Sequence, residues 1–108
     1  MSAAMVFTAY VDSAEMGRQV RRRLLELCTE WDVAPEIQVV DVTSDPAAAE
    51  TNNVVGIPTV VRTHPRPRRR VIGVLDDTRR VAEALGLDER PDDITEAGQS
   101  AGVVDDRA

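Results

Sequence analysis

Residues 56–75 of the chain read GIPTVVRTHPRPRRRVIGVL. This segment places three prolines, two glycines and five arginines around two short apolar runs. Ile57-Pro58-Thr59 stands directly before the first run, and proline is tolerated at the start of a strand because it removes only one ladder donor there. The runs are separated by a proline-rich turn at residues 64–67. The pattern predicts an antiparallel hairpin of strands at residues 59–62 and 70–75.

The flanking sequence alternates strand and helix patterns. Residues 5–11 are almost continuously apolar, which suits a central strand, and residues 37–42 predict a second strand parallel to the first because a helix connects the two. Residues 14–31 predict that helix, whose buried stripe comprises Val20, Leu24, Leu27, Cys28 and Trp31. Gly17 inside the helix predicts an irregular first turn. Pro35 is expected to end the connection to the second strand.

Two shorter helices have clear boundary signals. Ser44-Asp45-Pro46 predicts a helix start, and Asn52-Asn53 ends that helix after about two turns. Asp76 and Asp77 are expected to cap a last helix that ends at a left-handed Gly86. The inward residues of this last helix are predicted to be Val81, Ala82 and Leu85.

The resulting order, β-α-β-α-β-β-α, predicts an α/β three-layer sandwich with a mixed four-stranded sheet. This is the thioredoxin-like architecture, and residues 45–59 resemble the thioredoxin segment in which the proline is cis. We expect one domain over residues 1–88 and a polar, disordered tail over residues 89–108.

Composition narrows the classes of partner. The 108 residues carry a net charge of −6, and all 13 cations are arginine. An acidic chain argues against non-specific binding to nucleic acid or to anionic membranes. No apolar run approaches the roughly 18 residues that a transmembrane helix needs, and no secretory signal pattern is visible. We therefore expect a cytoplasmic protein.

The residues that carry thioredoxin chemistry are missing from their usual place. Thioredoxins and glutaredoxins exchange disulfides through a cysteine pair where the first strand meets the first helix. Here that junction, residues 10–19, reads YVDSAEMGRQ. Cys28 is the only cysteine and His64 the only histidine, so neither a two-cysteine redox motif nor a metal-ligand set is expected. We expect no cofactor and no catalytic residues. Asp41, Asp76 and Asp77 could be paired carboxylates, but nothing else suggests a general acid and base, and Asp76 and Asp77 are more simply helix caps.

Two arginine groups are candidate contact surfaces. Arg66, Arg68 and Arg69, with Arg70, form a positive patch whose simplest role is to keep an edge strand from aggregating. Contact with an acidic protein partner is the second interpretation, and nucleic acid is disfavoured because no aromatic stacking platform lies nearby. Arg18, Arg21 and Arg22 are a solvated helix face or a docking face.

The hairpin region also resembles the KaiB family of circadian-clock proteins. Residues 58–77, PTVVRTHPRPRRRVIGVLDD, follow that family's pattern of Pro-Thr-Leu, Pro-x-Pro-x-Arg, a short apolar run, glycine, and leucine before an acidic pair. Leu85-Gly86-Leu87-Asp88 after the last helix is similar too, and the resemblance covers about residues 5–88. It places Gln38 where the best-known members carry a lysine used in partner contact.

The resemblance implies a non-enzymatic regulator that binds the hexameric ATPase KaiC in a circadian, simpler timing or stress system. It also implies contact with a KaiA-like protein or a histidine kinase, self-association as a dimer or tetramer, and a metamorphic second half that has an alternative fold. The expected partner-binding residues are Arg18, Arg22, Gln38, Arg66, Arg68 and Arg69. The expected switch positions are Pro58, Pro65, Pro67, Gly73, Gly86 and Asp88.

Two other functions remain open. A redox-inactive thioredoxin-like domain could dock an unrelated partner such as a sensor histidine kinase. An enzyme would have to be an oxidoreductase that works with one unpaired cysteine.

Overall fold

The computed structural model describes residues 3–89 and contains four strands and three helices in this range. The elements are β1 (Ala3–Val11), α1 (Ala14–Glu30), β2 (Val33–Asp41), α2 (Pro46–Thr51), β3 (Thr59–His64), β4 (Arg69–Ile72) and α3 (Thr78–Leu85). Their order confirms the predicted β-α-β-α-β-β-α sequence. Residues 90–108, on which most of the predicted tail falls, lie outside the described residues.

β1 is the central strand on which the sheet is built. The strand order is β2-β1-β3-β4. β1 pairs parallel with β2 and antiparallel with β3, and β3 pairs antiparallel with β4. Strand β1 is therefore hydrogen-bonded on both edges, as its continuous apolar sequence predicts. The predicted mixed sheet and the β3–β4 hairpin are both confirmed.

The core lies on one side of the sheet, between the strands and the helices α1 and α3. Its members from the strands alternate along the chain, since successive side chains of a strand point to opposite faces. Those members are Met5, Phe7, Ala9, Val11, Val33, Val60 and Val71. The helices contribute Val20, Leu24, Leu27, Cys28, Val81, Ala82 and Leu85. The predicted buried stripe and the predicted inward face of α3 are confirmed, although Trp31 is only partly buried.

The opposite side of the sheet is covered more thinly. Tyr10 and Thr59 point to this side and are buried, at 4% and 0% exposure. Arg70, also on this side, donates to the carbonyl oxygens of Asn52 and Asn53 at 3.1 Å each. Because these carbonyls follow α2 directly, the hydrogen bonds hold α2 on this side as the third layer. Helix α2 buries none of its own residues.

Gly17 does not distort α1, contrary to the sequence-based expectation. The helix is regular from Ala14, and Ser13 caps it by accepting a hydrogen bond from the Met16 amide at 3.1 Å. A Cβ at position 17 would lie 3.0 Å from Val39 Cγ1 and 3.6 Å from Val11 Cγ2. Glycine therefore allows α1 to approach the sheet closely, and this packing offsets its low helix propensity.

The predicted bounds of two strands were wrong. β2 begins at Val33 and includes Pro35, which was expected to lie in the connection. A proline fits there because β2 is an edge strand, where a missing donor costs no ladder hydrogen bond on the open side. β4 ends at Ile72, since Gly73 has a φ of 104° that breaks the extended backbone. Val74 and Leu75 therefore belong to the loop before α3.

The helix caps agree with the sequence signals in all but one residue. Asp45 and Asp77 are the N-caps of α2 and α3, and they accept from the Ala48 and Arg80 amides. Asp76, which was expected to share the cap, is exposed in the preceding loop. Gly86 ends α3 in the left-handed region, at φ 65° and ψ 40°.

Adjacent leucines on α1 test the position of the core. Leu24 is fully buried and Leu25 is 39% exposed. Leu24→Ala is expected to lower the free energy of unfolding by about 3 kcal/mol, because it removes buried methyl groups and leaves a cavity. Leu25→Ala is the control and should cost less than about 1 kcal/mol. Denaturant titrations measure both values, and equal losses would contradict the packing of α1.

Candidate partner-binding surface

The junction of β1 and α1 is a structural turn. Ser13 uses its hydroxyl as the acceptor for the Met16 amide, and the Gly17 amide donates to the Ser13 carbonyl at 3.0 Å. No thiol lies in this turn, because the only cysteine of the chain is Cys28, which lies on the buried face of α1. Disulfide exchange at the thioredoxin position is therefore chemically excluded.

Cys28 lies in the apolar core at 0% exposure. Burial raises the pKa of its thiol to about 11, since the low-dielectric surroundings disfavour the thiolate. The thiolate is the nucleophilic form of cysteine. Cys28 therefore acts as a small core residue in this fold, as its place in the stripe indicates.

A shallow apolar groove lies beside the same junction. It encloses about 300 Å³ between the start of α1 and the loop before α3. Met16 and Val20 line one wall, and Pro58, Val74 and Leu75 line the other. The peptide between Ile57 and Pro58 is cis, as the resemblance to thioredoxin predicted. Val74 is 62% exposed at the mouth of the groove.

The sequence-predicted contact residues lie in three separate places. Arg18 and Arg22 are exposed on the outer face of α1. Gln38 is exposed on β2, opposite Thr8 of β1 and on the side of the sheet away from α1. Arg66 and Arg68 are exposed between β3 and β4. Since β2 and β4 form opposite edges of the sheet, the structure does not combine these residues into one site.

Several other arginines hold the main chain together. Arg23 of α1 donates through Nε to the Leu75 carbonyl at 2.6 Å and through Nη2 to Thr78 Oγ1 at 3.0 Å. Arg80 donates to the Val74 carbonyl at 3.1 Å, and Arg21 donates to the Ile37 carbonyl at 3.2 Å. These hydrogen bonds tie α1 to the start of α3 and to β2. They are stabilising contacts that the sequence patterns did not indicate.

Arg62 of β3 is the largest fully buried side chain among the described residues. Its Nη1 donates to the carbonyls of Leu85 and Gly86 at 3.1 and 3.2 Å, at the C-terminal end of α3. Its Nη2 donates to the Pro67 carbonyl at 2.7 Å, in the turn before β4. Arg62 therefore links β3, that turn and α3.

Glu89 balances the buried charge of Arg62. Its Oε1 lies 2.8 Å from Arg62 Nη1, and its Oε2 lies 2.5 Å from Arg69 Nη2. Burial lowers the pKa of Arg62, and the carboxylate of Glu89 opposes this shift. Arg69, predicted as a partner contact, is thus already paired within the chain and is 19% exposed. The predicted tail begins at this same Glu89.

Gly86 leaves the space that the Arg62 guanidinium occupies. A Cβ at position 86 would lie 2.6 Å from Arg62 Nη1, which is closer than a Cβ atom approaches other side chains in real proteins. Glycine is therefore needed there for its positive φ and for the close approach of the arginine.

The other predicted switch positions lie between the residue before β3 and the residues after α3. Pro58 lines the groove, and the peptides before Pro65 and Pro67 are cis. Gly73 ends β4, and Asp88 is exposed after α3. The structure describes one fold of this segment, so the role of these positions in a switch stays a prediction.

Tyr10 and Asp41 show the remaining electrostatic features of the sheet. Burial raises the pKa of Tyr10, and the nearby guanidinium groups of Arg68 and Arg70 oppose the shift. The pKa of Asp41 is lowered, chiefly because the Thr43 hydroxyl donates to its carboxylate at 2.6 Å. Asp41 stabilises the turn after β2, and Asp77 stabilises the start of α3.

Residues 3–89 contain no cluster of three or more histidine, cysteine, aspartate or glutamate side chains suited to a metal ion.

Fold and surface together define a thioredoxin-like domain without the thioredoxin thiols. The sequence profile of the KaiB domain matches residues 9–87. The chain belongs to the KaiB family.

Individual relatives agree with this assignment. The circadian clock oscillator protein KaiB of Parasynechococcus marenigrum (strain WH8102) is 36% identical over 81 residues, which are 75% of this chain and 74% of the relative. The KaiB protein of Synechococcus sp. (strain RCC307) is 35% identical over 85 residues, 79% of this chain and 73% of the relative.

Solved structures share the fold at lower sequence identity. The N-terminal domain of Synechococcus elongatus SasA matches with a TM-score of 0.62 and 20% identity, covering 89% of this chain and 88% of that domain. Chloroplastic thioredoxin z matches with a TM-score of 0.56 and 20% identity, covering 77% of this chain and 76% of that protein. These similarities confirm the thioredoxin-like fold. None of the helices within residues 3–89 has the length and apolar content to cross a membrane.

The raised pKa of Cys28 gives a direct chemical test. At about pH 8 a thiol with a pKa near 11 is almost wholly protonated, so the folded chain should not react with an aromatic disulfide reagent over minutes. The same chain unfolded in concentrated guanidinium chloride should react quickly, and one equivalent of aromatic thiolate should be released from the reagent. Rapid reaction of the folded chain would show that Cys28 is accessible. That result would favour the hypothesis of an oxidoreductase that works with one unpaired cysteine.

Proposed function

We propose that this chain is a non-enzymatic regulator that binds a KaiC-type hexameric ATPase in a circadian or simpler timing or stress system. The observation that carries the proposal is the KaiB domain match over residues 9–87. The β1–α1 junction supports it, because Ser13 there is used as a cap and no thiol is present. The action of such a protein lies in the surface that it presents, and we place it in the cytoplasm.

The exposed arginines are the contact residues that we assign to this role. Arg18 and Arg22 are exposed on α1, and Arg66 and Arg68 are exposed before β4. Among the described residues, Arg18, Arg22 and Arg66 have no hydrogen bond to a main-chain carbonyl comparable to those that Arg23, Arg62 and Arg70 make. Guanidinium groups that are not used to hold the fold can pair with carboxylates of a partner. Gln38 adds a neutral hydrogen-bonding group at the β2 edge.

Binding to a purified KaiC-type ATPase, measured by biolayer interferometry in both nucleotide states, tests the proposal. The three surface groups are changed separately, as Arg18→Glu with Arg22→Glu, Gln38→Glu, and Arg66→Glu with Arg68→Glu. The group that forms the interface should lose at least about tenfold in affinity, because each change places negative charge where an arginine or a neutral amide would face the carboxylates of the partner.

Arg79→Glu is the matched control, since Arg79 is exposed on α3 and outside the three groups. It should bind as the unchanged chain does. The absence of binding in both nucleotide states, or full binding by all three substituted variants, would contradict the proposal.

A thiol-free thioredoxin-like domain that docks a sensor histidine kinase is the second candidate. The observation that favours it is the capped, thiol-free junction, which suits any docking domain of this fold. The two candidates differ in the same binding experiment, because only the second predicts capture of a purified kinase sensor domain without any binding to the ATPase. A KaiA-like protein and a second copy of the chain are further partners that the family membership suggests.

A further inference from the structure

Glu89 bridges two arginines that belong to different strands. One carboxylate oxygen contacts Arg62 of β3 and the other contacts Arg69 of β4, at 2.8 and 2.5 Å. The three side chains differ in their exposure, since Arg62 is 0%, Arg69 is 19% and Glu89 is 24% exposed. The carboxylate thus lies at the surface while the first of its two cations is buried.

The bridge lies where three segments meet. Arg62 reaches the carbonyls of Leu85 and Gly86 behind α3 and the carbonyl of Pro67 before β4. Helix α3 has no basic residue of its own in its last turn. The negative end of its dipole is therefore capped by a cation that another strand supplies.

The energetic weight of Glu89 follows from the burial of Arg62. A fully buried guanidinium is costly unless a counter-charge and hydrogen bonds compensate for its lost hydration. Glu89 is the carboxylate paired with Arg62 among the described residues, and Asp88 contributes only at longer range. Without the Glu89 charge, the simplest way to rehydrate Arg62 is to admit water between β3 and the end of α3.

The pairing of strands in the sheet determines which segments can open when Arg62 is rehydrated. β3 is hydrogen-bonded to β1 on one edge and to β4 on the other, so moving β3 would break two ladders. β4 is a four-residue edge strand, and α3 is an eight-residue helix packed beside it. Short segments at the edge of a fold open at lower free energy than central strands.

We propose that Glu89 is the latch of a C-terminal unit formed by β4 and α3. When its carboxylate is released, β4 and α3 open together while β1, α1 and β2 stay folded. The latch is a property of the free chain, so a failure to bind any ATPase would leave it intact, and its own failure would leave the proposed function intact.

Hydrogen exchange of the full chain tests the latch. Glu89→Gln keeps the shape of the side chain but removes its charge, and Glu83→Gln is the control because Glu83 is exposed on α3 and pairs with neither arginine in the structure. In Glu89→Gln, the amides of Val71, Val81 and Leu85 should exchange at least about tenfold faster. The amides of Phe7 and Ala9 in β1 should be unchanged.

Two results would overturn the latch. If Glu89→Gln exchanges like Glu83→Gln throughout, the carboxylate does not hold the unit. If the amides of β1 and α3 accelerate equally, the bridge contributes only to global stability and no separate unit opens. A variant that is unfolded as a whole falls under the second result, because its β1 amides also lose protection.

Discussion

The second half of this fold depends on one buried guanidinium group. Arg62 follows two buried valines in β3 and donates to carbonyls at the end of α3 and in the turn before β4. The Leu85 and Pro67 carbonyls lie at the end of a helix and within a turn, where main-chain acceptors are not satisfied by regular structure. The Gly86 carbonyl also accepts from the Glu89 amide at 3.1 Å. The planar fork of arginine can serve several acceptors at once, whereas the ammonium group of lysine is a compact charge on a flexible stem. The cost of burying the cation is offset by Glu89 and by these hydrogen bonds, so β3, β4 and α3 are placed together.

The same chemistry distinguishes some arginines within residues 3–89 from others. Arg23, Arg62 and Arg70 donate to main-chain carbonyls and connect α1, α2 and α3 to neighbouring elements. Arg18, Arg22, Arg66 and Arg68 are exposed, and we propose them as the contacts with a partner. This division, together with a β1–α1 junction that holds a helix cap in place of a thiol, supports the binding role that we propose for this member of the KaiB family.

Sequence patterns predicted the fold well where the local signal was strong. The apolar β1, the stripe on α1, the proline at the start of α2 and the left-handed Gly86 were each recognised from neighbouring residues, and all are confirmed. The patterns failed where a distant contact decided the outcome. Pro35 was placed outside β2 because its tolerance depends on β2 being an edge strand, and Gly17 was expected to disturb α1 because its close neighbour Val39 is remote in sequence. Arg62 was read only as the end of a strand. Its position between valines and a threonine in a buried strand was the available signal, but its partners at the end of α3 lie 23 or more residues away.

The stability of Arg62→Met, compared with that of Arg66→Met, tests the central role of Arg62 most directly. Both changes remove one guanidinium from the same short segment, but Arg62 is fully buried and Arg66 is exposed. Arg62→Met should lower the free energy of unfolding by about 2–3 kcal/mol, because it takes the guanidinium donor from the Leu85 and Pro67 carbonyls and the counter-charge from Glu89. Arg66→Met should change it by less than about 0.5 kcal/mol. If chemical denaturation shows that Arg62→Met is as stable as Arg66→Met, the second half of the fold does not depend on the buried guanidinium.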